Sequence, residues 1–190
     1  MGIRSLKSAS ISTGSKRSKF WDQSAVYTTT AFQSIATATP SGSSSFSFSS
    51  IPSTYTHLQI RGLTFNSSAQ TDLLMTFNSD SGSNYTYHAL YGDGSSAAAG
   101  NQQPRASILA GMGGNTATTW GGVTIIDIMD YTSTNKHKTV RMVQGADSNS
   151  TNGYILYRSG LWFNSSIAAI STITITLYAG RSEEHTSELQ

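Results

Sequence analysis

From residue 45 onward, large apolar residues recur at every second position in short runs, and small polar residues, Gly or Pro separate the runs. In F-S-F-S-S-I-P-S-T-Y-T-H-L-Q-I-R-G (46–62), Phe46 and Phe48 alternate with serines. That is the period of a strand with one buried and one wet face. Ile51 falls out of this register, and Pro52, which has no N–H and a fixed φ, predicts a corner. Alternation resumes with Thr56, Leu58 and Ile60 on one face and Tyr55, His57, Gln59 and Arg61 on the other. The same period places Leu73, Met75 and Phe77 together within 71–78, and Tyr85, Tyr87 and Ala89 together within 85–91. Further strands are expected over 31–38, 105–112, 122–131, 138–144, 154–163 and 170–178. Polar turns are expected over 40–44, 66–70 and 80–84, and a long small-residue loop over 92–103. No segment carries a helical stripe. About ten strands with turn signals between them predict an all-β domain, an antiparallel β-sandwich of jelly-roll-like type. Leu58, Ile60, Leu73, Met75, Phe77, Ile126, Ile128, Leu161 and Ile173 are the expected core.

Composition narrows the class. Of 190 residues, 12% are charged and 37% hydrophobic; a typical globular domain carries about 25% charged residues. Aromatics at 10% and a net charge of +2 argue against disorder of the whole chain. Cysteine is absent, which removes disulfides, thiolate nucleophiles and Cys-ligated metals. No apolar run approaches the length of a membrane-spanning helix, and the basic N-terminus lacks the apolar stretch of a secretory signal. Charge is unevenly placed. Arg4, Lys7, Lys16, Arg17 and Lys19 all precede the first acid, Asp22. Residues 1–19 therefore read as a basic, Ser-rich flexible arm, either a solvated tail or a segment that docks on a neighbouring subunit or on nucleic acid. Phe20 and Trp21 would anchor it.

Candidate chemistry is sparse. His57, His88, His137 and His185 share no metal-ligand spacing. His57 and His88 are expected as ordinary surface or cross-strand residues. Asp127 and Asp130 end the apolar strand V-T-I-I-D-I-M-D-Y and need partners, for which Lys136, Lys138 and Arg141 on the next segment are placed. A carboxylate pair across a cleft, as in glycosidases, is the weaker reading. N-S-D-S-G-S-N (78–84) is expected to be an Asx turn, not a cation loop. Gly111, Gly113 and Gly114 are expected to lie between strands, are followed by no helix, and so are not a phosphate loop. No catalytic constellation, metal site or cofactor site is assigned.

The order of segments carries more information. F-S-S-I-P-S-T-Y-T-H-L-Q-I-R (48–61), F-N-S-D-S-G-S-N-Y (77–85), I-D-I-M-D-Y-T-S-T-N-K-H-K-T-V-R (126–141), S-G-L-W-F (159–163) and A-A-I-S-T-I-T-I (168–175), with F-W-D-Q-S-A-V-Y (20–27), resemble a family of virion structural proteins of tailed bacteriophages, marine phages especially. The resemblance covers residues 20–180. It implies a β-sandwich in the virion, as a tail-fibre, tail-associated or head-surface component, with no catalytic residues to carry over. It stops at R-S-E-E-H-T-S-E-L-Q (181–190), which resembles the translation of a short-read sequencing adapter and contains every glutamate of the chain. Without that stretch there are 11 basic residues (12 less Arg181) against 7 acidic (10 less three Glu), a formal charge of +4. Residues 181–190 are expected to lie outside the fold, in place of a closing strand that ends Leu-Tyr-Gly-Ile-like in the proteins this one resembles.

The resulting expectation is a non-enzymatic virion protein, assembled with other virion subunits and as a homo-oligomer, that contacts host surface glycans or receptors through many weak copies. Neither membrane insertion nor nucleic-acid binding by the domain is expected. The loop 92–103 with Tyr85, Tyr87, Tyr91 and Trp120 is the candidate ligand face, since aromatics among small polar residues suit sugars; the competing reading makes these tyrosines half-buried cross-strand residues. Alternatives are a secreted carbohydrate-binding module and, behind it, a polysaccharide depolymerase.

Overall fold

A computed structural model describes residues 32–66, 71–115, 121–147, 153–178 and 185–189. The basic arm and its anchors Phe20 and Trp21 lie outside the described residues. The chain divides into two units, Met1–Gln33 and Ser34–Gln190, and the second holds the β domain. Twelve strands form it: β1 (Ala36–Ala38), β2 (Ser45–Phe48), β3 (Leu58–Asn66), β4 (Thr71–Phe77), β5 (Tyr85–Gly92), β6 (Ala97–Arg105), β7 (Ile108–Asn115), β8 (Gly122–Ile128), β9 (Lys138–Ala146), β10 (Tyr154–Trp162), β11 (Ile173–Leu177) and β12 (His185–Leu189). No helix occurs among the described residues.

Two antiparallel sheets pack face to face. The larger runs β1-β12-β3-β8-β9-β10-β5-β6 and the smaller β2-β11-β4-β7. A short parallel contact of β3 with β7, at Phe65 opposite Gly114, links them at one end. The alternation of the sequence is the reason. Leu58 and Ile60 on β3, Ile126 and Ile128 on β8, and Val140 and Met142 on β9 meet Leu73, Met75 and Phe77 on β4 and Ile173, Ile175 and Leu177 on β11 in one core. The corner after β2 is tied twice. The Ile51 N–H donates to the Ser171 carbonyl, and the Tyr131 hydroxyl donates to the Pro52 carbonyl.

Four expectations need correction. The segment 92–103 is not a loop: a turn at Asp93–Ser96 leads into β6, an edge strand. Its alanines and glycine give no hydrophobic period, and Pro104 is tolerated there because an edge strand leaves one side of its ladder unpaired. On β10 the buried positions are Leu156, Arg158, Gly160 and Trp162, so Leu161 lies on the outer side and Trp162 takes its place in the core. The glycines of 111–114 lie within β7, where the buried Gly111 is required by close approach: a Cβ there would stand 2.8 Å from Thr124 Oγ1. Finally, His185–Leu189 is strand β12, paired with β1 on one side and β3 on the other, with Leu189 fully buried. Main-chain hydrogen bonds hold a strand whatever its side chains, and one apolar anchor suffices to fix its place.

Candidate functional site

The loop between β4 and β5 is built around two side chains. Asn78, in the left-handed region at φ 51°, donates through Nδ2 to the Ala169 carbonyl at 2.7 Å and accepts at Oδ1 from the Ser171 and Thr172 amides at 2.9 and 3.1 Å. Asp80 gathers more donors. Its Oδ1 accepts from the Gly82 amide at 2.9 Å; its Oδ2 accepts from the Trp162 indole N–H at 2.7 Å and from the Asn84 and Asn164 side-chain amides, each at 2.9 Å. Burial raises the pKa of this carboxyl, but the Trp162, Asn84, Gly82 and Asn164 donors outweigh it, and the net direction is down. The 78–84 loop is thus an Asx turn whose carboxylate is saturated with donors, a structural tie and not a cation site.

That tie explains the tyrosines. Tyr85 is fully buried, stacked on Trp162 at 6.4 Å between centroids, with its hydroxyl donating to the Asp80 carbonyl at 3.0 Å and accepting from the Phe77 amide at 3.0 Å. Burial pushes its pKa up to about 12. Tyr87 is buried too, with the Arg158 guanidinium 5.8 Å from its ring centroid. The ligand face expected from Tyr85 and Tyr87 is therefore corrected: both belong to the interior, because they share the inward parity of β5. Tyr91 is exposed, and Trp120 lies outside the described residues.

The acids are paired as the sequence suggested. Asp127 takes Arg141 Nη2 at 2.7 Å and Gln59 Nε2 at 2.7 Å; burial raises its pKa, and these donors lower it further than burial raises it. Asp130 holds Lys136 at 3.1 Å, which lowers its pKa. Lys138 forms no close ion pair with either acid, although its charge helps to lower the Asp130 pKa. It is buried, and its ammonium donates to the Ser133 and Lys136 carbonyls, while burial lowers its pKa. His57 is exposed and its Nδ1 accepts from the Asp130 amide at 3.0 Å; His88 is exposed on β5. Among the described residues no three His, Cys, Asp or Glu side chains converge on a point, and no helix is long and apolar enough to cross a membrane.

What the sequence reading missed is the outer face of the large sheet. Cross-strand register lines its side chains up in three ranks. The first is polar: Gln59, Asp127, Arg141, Ser159, His88 and Asn101, on β3, β8, β9, β10, β5 and β6 in turn. The second follows Arg61 with Ile125, Val143, Tyr157, Leu90 and Ala99. The third is Leu63, Val123, Gly145, Ile155, Gly92 and Ala97. Seven large apolar residues stand on this face in the open, with Ile155 72% and Leu90 60% exposed. A shallow trough of about 460 Å³ lies among Leu90, Ala99, Asn101, Tyr157 and Ser159. The signal was present in V-T-I-I-D-I, where both parities are apolar. That run betrays a strand covered on both faces, yet the described residues cover only one. No family model, curated protein or solved structure matches the chain.

Proposed function

We propose that the protein acts by surface contact as a structural subunit, a jelly-roll-like β-sandwich of a tailed-phage virion, in a tail fibre or at the particle surface, and without catalytic turnover. The observation that carries the contact half of this reading is the outer face of the large sheet. Soluble monomers rarely leave contiguous apolar patches larger than a few hundred Å² in water, and larger ones mark interaction sites. The virion half rests on the resemblance of residues 20–180. Partners are other subunits first; host glycans or receptors are the second class, with Tyr91 the exposed member of the aromatic set. The test is immunogold labelling of particles from the parent genome with antibody to the recombinant chain. Decorated virions are expected. Virions never decorated, with the chain found as a secreted sugar binder, would overturn the location. Release of reducing ends from host polysaccharide, abolished by Asp127→Asn or His88→Ala, would overturn the non-catalytic reading.

A further inference from the structure

We infer that the outer face of the large sheet is the contact between two copies of this chain, related by a two-fold axis that runs between the two apolar ranks and parallel to them. This names the partner for the assembly half of the proposed function and depends on that half, but its geometry comes from the ranks themselves. Rotation about such an axis keeps each strand opposite its own counterpart and exchanges the two ranks. Val143 of one copy then stands over Gly145 of its partner, and Leu90 over Gly92; Ile125 faces Val123, and Tyr157 faces Ile155. The two largest gaps in one rank are thus met by branched side chains of the other, the large-on-small pattern that close packing of facing sheets requires. Gly145 has the room, since nothing lies within 4 Å of where its Cβ would stand.

Charge favours a second copy over an oppositely charged partner. On this face Asp127 pairs with Arg141 within one subunit and also feels Arg61, so the face keeps at most one net positive charge and offers little field to steer a charged macromolecule. The polar rank falls outside the exchanged ranks and forms a rim. Six strands about 4.8 Å apart and two exchanged ranks about 6.8 Å apart cover roughly 400 Å² per copy, and the polar rim beside them brings the contact towards the lower end of specific interfaces, about 1,200 Å² in total.

The full chain is examined by sedimentation velocity over a dilution series, beside Val143→Asp, Ile155→Asp and a control, Thr139→Asp, which is exposed on β9 outside the three ranks. A reversible dimer is expected, weakened by at least about 30-fold in the two rank variants, because a carboxylate would be buried against apolar side chains, and unchanged in the control. Since the chain has no cysteine, Val143→Cys mixed with Gly145→Cys should be joined by a short bismaleimide faster than either alone, which decides the matter if the aspartates disturb folding. A chain monomeric throughout, a dimer indifferent to both aspartates, or no preference for the mixed cysteine pair would overturn the pairing. None of these results would touch the virion assignment, which the labelling of particles decides.

Discussion

Removing the Asp80 carboxylate is the sharpest test of how the two sheets are fastened at the β4–β5 end. Asp80→Ala removes the acceptor of four donors, Gly82, Asn84, Asn164 and Trp162. The exposed Gly82 amide and the half-buried Asn84 and Asn164 amides regain water. The Trp162 indole does not, because Trp162 is only 3% exposed. A hydrogen bond to a charged group contributes about 1.5–3 kcal/mol net, and a buried donor left unpaired costs about 1–3 kcal/mol. These overlap, so the expected loss is about 3 kcal/mol, or about 6–12 °C in Tm for a domain of this size. Urea denaturation followed by Trp fluorescence and circular dichroism measures it. The decisive arm is a cycle with Trp162→Phe, which keeps the ring and removes the donor. In that background Asp80→Ala should cost about 1–2 kcal/mol less. Additivity within about 0.5 kcal/mol would refute the view that the indole bond dominates.

Arg158 is buried beneath the sheets with its Nε unpartnered and Asp72 at 3.9 Å; Arg158→Leu should leave stability unchanged or raise it by about 1 kcal/mol, and a loss above about 2 kcal/mol in chemical denaturation would show the guanidinium to be a net stabiliser. The pKa values of Asp80 and Asp127 lie below the ordinary 3.8 in the folded state, so their contribution is full above that value and is lost as pH falls below it and through the lower folded-state pKa. Stability measured between pH 6 and pH 2.5 should therefore decline below about pH 4, and the decline should be shallower in Asp80→Asn. Leu189→Ala should cost about 2–4 kcal/mol and loosen protection of the β1 and β3 amides in hydrogen exchange; no loss would return residues 181–190 to the role of a passenger, as their composition alone suggested.

Strand positions were legible wherever one parity of a segment was apolar and the other polar, as with Leu73, Met75 and Phe77. Legibility failed where that contrast vanished. In β10 the inward set includes Arg158 and Gly160, so the adjacent Leu161 and Trp162 offered no basis for choosing between registers. In β6 the side chains are too small to carry a period. The parity of Tyr85 and Tyr87 was visible, but which face is covered depends on β4, β7 and Trp162, none of them local. Asp80 looked like any turn aspartate, because its strongest donor lies on another strand, far along the chain. The exposed ranks are likewise a property of register between six strands, and a single strand cannot display them.

The seat of β12 has a consequence for the order of assembly. Among the described residues of the large sheet, β1 is paired through β12 alone, and β12 reaches the body of that sheet only through β3. Residues 36–38 thus depend for their ladder on residues 187–189, at the far end of the domain in sequence. Closing a loop that long is among the slowest kinds of contact a chain makes. During synthesis β1 emerges first and must wait, unpaired, until nearly the whole domain has been made. Closure of this edge therefore waits for residues 187–189, and its opening should carry β1 and β12 away together as one cooperative unit.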